Sequence, residues 1–176
     1  MAVMRKSMSS YDRVLGWLSM REHSEAEIRR KLKQKKIPDD EHEALIARLK
    51  LNRFLDDERF FDVRCRALMG RRQGRMRILQ DLRSRGVAWN EERFRELERE
   101  LRGETGSAEA LEGLIKKKMR ESRQRKRFEA SISDRIERMK LEQTLLRTLV
   151  QRGFNVAESL KAIRAWFKTQ TSSGRL

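Results

Sequence analysis

One pattern recurs three times and restricts what this chain can fold into. An apolar residue is followed four positions on by another, and four further on by a lysine or glycine joined directly to an apolar side chain. It reads Ile28-x3-Leu32-x3-Lys36-Ile37, then Ile78-x3-Leu82-x3-Gly86-Val87, then Leu145-x3-Leu149-x3-Gly153-Phe154. Apolar positions four apart share one face of an α-helix. A glycine just past such a face is where a left-handed cap residue belongs. The copies stand 50 and then 67 residues apart, so the third carries an insertion. Units of this length stack side by side, each burying its apolar face on itself and on its neighbour.

The flanking segments complete a three-helix unit each time. In the first, Tyr11, Val14, Leu15 and Leu18 form a helical stripe flanked by Trp17, and Ser24 with Glu27 has the spacing of a capping box. Ile37-Pro38 leads into Asp39 and Asp40, which open a helix carrying Leu45, Ile46 and Leu49. In the second, Asp56-Asp57 begin a helix with Phe61, Cys65 and Leu68, and Arg71-Arg72-Gln73-Gly74 breaks it. Asn90 then caps a helix expected to turn Phe94, Leu97 and Leu101 inward. In the third, Gly103-Glu104-Thr105-Gly106-Ser107 reads as a linker before a helix with Leu111, Leu114 and Ile115. A helix from about 133 to 152 comes next, and Asn155, with Glu158 three residues on, caps a last helix bearing Val156, Leu160, Ile163 and Phe167.

The expected fold class is therefore all-α: three tandem three-helix repeats forming an elongated body. The boundaries are an N-terminal tail over 1–10, repeats over 11–55 and 56–102, a third repeat with a basic insertion over 103–168, and a tail over 169–176. β-branched residues never alternate with polar ones, so no sheet is expected. Charged residues make up 40% against 38% hydrophobic, which suits a thin body better than one thick core.

Catalysis has little to stand on. Of the two histidines, His42 falls on the apolar face of Leu45, Ile46 and Leu49 and reads as a packing residue, and His23 precedes a cap and reads as a turn residue. Cys65, the single cysteine, lies on an apolar face and reads as a small core residue in a reducing compartment. No glycine-rich phosphate loop or metal-binding spacing occurs, and acids such as Asp56-Asp57-Glu58 stand where helix N-termini favour negative charge. The expectation is a protein that is not an enzyme, needs no cofactor or metal, and is cytoplasmic, because no signal peptide or membrane span is written in it.

Binding has more support. Forty-three Lys and Arg against 27 Asp and Glu give a formal net charge of +16, a field that attracts polyanions. The basic residues gather in three places: Arg29 to Lys36, Arg71 to Arg77, and Lys116 to Arg127, where eight Lys or Arg meet the single Glu121. Third helices that begin with acids, at Asp39-Asp40-Glu41 and Asn90-Glu91-Glu92, would face DNA phosphates unfavourably in a helix-turn-helix pose. A sequence-specific repressor is disfavoured, and backbone phosphate contacts are favoured. The candidate residues are Arg29, Arg30, Lys33, Arg71, Arg72, Arg75 and Arg77, with Lys116, Lys117 and Lys118 as a secondary patch.

Three segments, Arg21 to Leu32, Phe54 to Phe60 and Gly74 to Val87, together resemble the RecX family of recombination regulators. Arg21-Glu22-His23-Ser24 with Glu27-Ile28-Arg29-Arg30-Lys31-Leu32 is similar to that family's opening motif. Phe54-Leu55-Asp56-Asp57-Glu58-Arg59-Phe60 resembles the start of its second repeat, and Gly74-x2-Arg77-Ile78-x3-Leu82-x3-Gly86-Val87 resembles the next segment of that repeat. The family commonly has aromatic-Gly-Pro where this chain has Gln73-Gly74-Arg75. The resemblance implies a curved, elongated body of three such repeats that binds the RecA recombinase and its filament on single-stranded DNA; a monomer is expected. There it would restrain ATPase, strand exchange and co-protease activity by occupying the filament groove. The alternative from the residues alone is a general nucleic-acid-binding protein with no dedicated protein partner.

Overall fold

The computed structural model describes residues 9–103, 106–131 and 134–172, and among them it is helical throughout, with no strand. In chain order the helices are α1 (Ser10–Met20), α2 (Glu25–Gln34), α3 (Asp39–Leu51), α4 (Asp57–Gly70), α5 (Arg75–Ser84), α6 (Glu91–Arg102), α7 (Ala108–Met119), α8 (Ser122–Ser131), α9 (Arg135–Gln151) and α10 (Val156–Ser172). The N-terminal tail expected over 1–10 lies outside the described residues up to residue 8. So do 104–105 of the linker, the expected helix start near 133, and 173–176 of the C-terminal tail. α10 continues through Ser172 rather than ending at 168, since no proline or glycine interrupts the helix-forming run there.

The recurring pattern is a helix C-cap. In α2 the Ile37 amide donates to the Leu32 carbonyl at 3.1 Å and the Lys36 amide to that of Lys33 at 3.0 Å. Val87 donates to Leu82 at 3.0 Å and Phe154 to Leu149 at 3.3 Å. Each bond closes the helix through a residue in the left-handed region, at φ 55° for Lys36, 73° for Gly86 and 88° for Gly153. The next residue in each copy (Ile37, Val87 or Phe154) is apolar and buried, which completes the motif. At the N-termini, Ser9 accepts from the Asp12 amide at 3.1 Å, and Asp56 from the amides of Glu58 and Arg59 at 2.9 and 3.0 Å. Asn155 accepts from the Ala157 amide at 2.7 Å, as expected of a cap.

Some expectations need correction. Ser24 accepts from the Glu27 amide at 3.1 Å, but Glu27 does not return the bond; its carboxylate is taken by Arg21 and Arg85. Glu158 likewise meets the Ser107 hydroxyl rather than the cap it stands beyond. His23 is buried, with one ring nitrogen 2.9 Å from the Arg21 carbonyl and the other 2.9 Å from the Lys31 ammonium. Leu101 and Val156 are exposed, because they stand in terminal turns of α6 and α10 where the packed face has run out.

Packing divides the chain into two compact units, Met1–Arg64 with Asp81–Asn90, and Cys65–Gln80 with Glu91–Leu176. In the first, Val14, Ile28, Leu32, Ile37, Leu45, Ile46, Leu49 and Leu55 form a core edged by Tyr11, Leu15, Trp17 and Leu18. In the second, Leu111, Leu114, Ile115, Leu141, Leu145, Leu149, Phe154, Ile163, Trp166 and Phe167 form another. Cys65 and His42 are buried, in keeping with the packing roles read for them.

The candidate nucleic-acid interface

The structure separates basic residues that hold the fold together from those left facing solvent. In the first unit, Arg29 is of the first kind. Its guanidinium donates to Glu25 at 2.8 Å and to Glu43 through both terminal nitrogens, and those carboxylates, Glu43 foremost, raise its pKa. Arg30, also on α2, is exposed and donates to the Ala26 and Ser84 carbonyls at 3.2 Å each. Lys33 is exposed, and among the described residues it has no carboxylate partner.

The same unit uses its motif residues for structure. Asp57 accepts from the Glu25 amide at 2.8 Å, so an acid opening α4 also caps α2. Arg59 forks onto Glu22 at 2.8 and 3.2 Å and reaches the Arg53 and Phe54 carbonyls. Glu27 is nine-tenths buried between Arg21 and Arg85. Burial raises its pKa, but the bond from Arg21 and the charges of Arg21 and Arg85 outweigh that and hold it low. Asp81 is held low by Arg64 first, at 2.6 Å, and by Arg85, at 3.0 Å.

In the second unit the break before α5 is fixed to the end of α9. The Gly74 amide donates to the Arg152 carbonyl at 2.8 Å and the Met76 amide to the Gly153 carbonyl at 3.0 Å. Arg152 in turn reaches the Arg71 carbonyl at 3.3 Å. Arg72, in the left-handed region, folds its guanidinium onto α7, where a β-carbon on Gly113 would lie 3.0 Å from it. Residues three and four positions beyond Gly113 share its helix face, so Arg72 joins Lys116 and Lys117 on one side of α7. Two clusters that are separate in sequence thus meet. Arg152 belongs to neither; only its contact with the break marks it.

The remaining candidates differ in how free they are. Arg71 and Lys117 are exposed, and among the described residues the Arg77 side chain reaches only Gln80, at 3.3 Å. Arg75 is paired with Glu91 at 2.5 Å, Lys116 with Glu112 at 2.7 Å and Lys118 with Glu121 at 2.7 Å. Among the described residues no three His, Cys, Asp or Glu side chains converge as metal ligands would, and no helix is long and apolar enough to cross a membrane.

Tandem helices with charged faces define a helical-repeat protein. Residues 11–49 match the family description "RecX, first three-helix domain". The chain is 35% identical over 167 residues to the regulatory protein RecX of Herbaspirillum seropedicae, covering 94% of this chain and 93% of that one. It is 42% identical over 86 residues to the regulatory protein RecX of Ralstonia nicotianae, covering 48% and 52%. A crystal structure of regulatory protein RecX superposes with a TM-score of 0.65 at 25% identity, over 86% of this chain and 70% of that one. RecX from Lactobacillus salivarius shares the fold, with a TM-score of 0.68 at 18% identity over 90% and 94%. The chain belongs to the RecX family of regulatory proteins.

Proposed function

We propose that this protein regulates a RecA recombinase: a cytoplasmic monomer that binds the recombinase and its filament on single-stranded DNA. Occupancy of the filament then inhibits ATP hydrolysis, strand exchange and co-protease activity. The observation that carries the reading, beside family membership, is the contact of Arg72 with α7, which sets Arg72 with Lys116 and Lys117 on one solvent-facing surface. Lys33, Arg30, Arg71, Arg72, Arg77 and Lys117 supply charge for DNA phosphates. Arg29, Arg75, Lys116 and Lys118 add to the field while bound to their own carboxylates. Such contacts are independent of base sequence and weaken steeply with salt.

The test is single-stranded-DNA-dependent ATP hydrolysis by RecA, titrated with the protein at fixed salt, beside an unrelated strand-coating ATPase on the same DNA. Substoichiometric inhibition of RecA alone supports a filament regulator. Inhibition of both enzymes, only at DNA-saturating amounts, would mean competition for DNA by a general nucleic-acid-binding protein, the reading that the net charge of +16 also favours.

A further inference from the structure

The insertion in the third repeat carries charge that its own fold does not answer. Some arginines elsewhere are matched within their units, as Arg59 is with Glu22, Arg64 with Asp81, and Arg66 with Glu100; others, such as Arg71 and Arg83, have no carboxylate partner among the described residues. At the end of α7 and along α8 the matching is partial: Lys116, Lys118 and Arg127 meet Glu112, Glu121 and Glu137. Lys117, Arg120, Arg123 and Lys126 are all exposed, and among the described residues none has a carboxylate within ion-pair reach. Lys117 and Arg120, like Arg123 and Lys126, are three positions apart, a spacing at which like charges destabilise a helix.

α8 is nonetheless anchored. Gln124, Phe128 and Ser131 recur at helical spacing on its inner side; Gln124 and Ser131 are buried. The Phe128 ring packs 5.2 Å from that of Trp166 and 5.8 Å from that of Phe167. An apolar anchor therefore holds a helix whose outer charges repel one another. That arrangement gains from a polyanion, which would neutralise the charges in place. The segment's single aromatic, Phe128, is committed to the core, so the outer face offers cations without a stacking platform.

We propose that the α7–α8 insertion is a phosphate-binding ridge on which Lys117, Arg120, Arg123 and Lys126 contact the sugar–phosphate backbone of single-stranded DNA irrespective of base. This deepens the proposed function and relies on it only for the partner.

The test compares two full-length variants from which equal charge is removed. One is K117Q/R120Q/R123Q/K126Q; the other, R83Q/R147Q/K161Q/R164Q, changes exposed residues elsewhere. Fluorescence anisotropy over a salt series would track binding to oligo-dT, oligo-dA and a duplex. The ridge variant should bind single strands about tenfold or more weakly, with a log affinity against log salt slope shallower by roughly 3, at about 0.7 per lost phosphate contact. The control should keep most of its slope, and oligo-dT and oligo-dA should behave alike. Equal losses in both variants, an unchanged slope in the ridge variant, or a loss confined to the duplex would overturn the ridge. Melting temperature guards against misfolding, and relief of repulsion should leave the ridge variant no less stable than the parent; R123Q/K126Q, on α8 alone, repeats the test with half the change. The two proposals fail separately. A parent protein that does not inhibit RecA sinks the regulatory reading while the slope still tests the ridge. An inhibitory parent whose ridge variant keeps its slope sinks only the ridge.

Discussion

Gly74 lies against Gly153 so closely that a β-carbon on Gly74 would come within 2.4 Å of the Gly153 carbonyl carbon. The helix α5 begins on the end of α9, and two glycines make the approach possible. In the other unit the same device recurs. Ser24, at the start of α2, donates to the Arg85 carbonyl at 2.6 Å, and a β-carbon on Gly86 would meet that of Ala26 at 2.4 Å. A second helix is thus seated on the capped end of the next repeat's second helix.

Gly153→Ala should cost about 3 kcal/mol or more. The left-handed conformation at φ 88° costs a non-glycine residue about 1–2 kcal/mol. The added carbon would also lie 2.3 Å from the Arg77 amide nitrogen, which is backbone and cannot swing aside. Urea unfolding measures it, and a loss below about 1 kcal/mol would show that the seat is loose.

Lys36→Gly should stabilise the protein by a few tenths to about 1 kcal/mol, since relief of left-handed strain exceeds the extra entropy of glycine in the unfolded chain. Lys36 holds the cap position of Gly86 and Gly153 but is exposed, so only its backbone angle matters. Gly86→Lys should go the other way by more, because its β-carbon would meet Ala26. Equal and opposite effects would refute the docking argument.

Stability should fall as pH drops from 7 toward 5, and His23 should account for part of the fall. Burial, then the nearby cations Arg21 and Lys31, hold its pKa below 6.5 despite the bond to the Arg21 carbonyl. The unfolded chain therefore binds the proton more readily, and stability is lost as pH falls through the unfolded value toward the folded one. His23→Gln should flatten the melting-temperature profile over that interval. Below about pH 4.5 a second fall should begin, since Glu25, Glu27 and Asp81 are held low in the folded state and their contribution disappears as they take up protons. A variant profile parallel to the parent's between pH 7 and 5 would rule His23 out.

Charge reversal should separate the two kinds of basic residue. R72E/K117E should weaken inhibition of RecA about tenfold or more while circular dichroism stays native. R29E should instead lower the melting temperature, because the new carboxylate would face Glu25 and Glu43. If R72E/K117E folds and inhibits normally, the surface on α7 is not the contact.

Most helices and their ends were legible in the sequence because the causes are local; α8 was not, since its run of 122–131 has no apolar four-residue spacing and reads only as a basic insertion. The four-residue spacing of Ile78 and Leu82, the caps Asp56 and Asn155, and the glycines at 86 and 153 each act within a turn of themselves. Charge could be counted but not assigned. Whether an arginine is a strut or a free cation depends on carboxylates brought to it from a distance: Glu43 to Arg29, and Glu27 to Arg85 across 58 positions. The meeting of Arg72 with α7, the seat of Gly74 on Gly153, and the anchoring of α8 through Phe128 arise in the same way. Tertiary packing alone decides them, because side chains far apart in the chain become neighbours only when the helices dock.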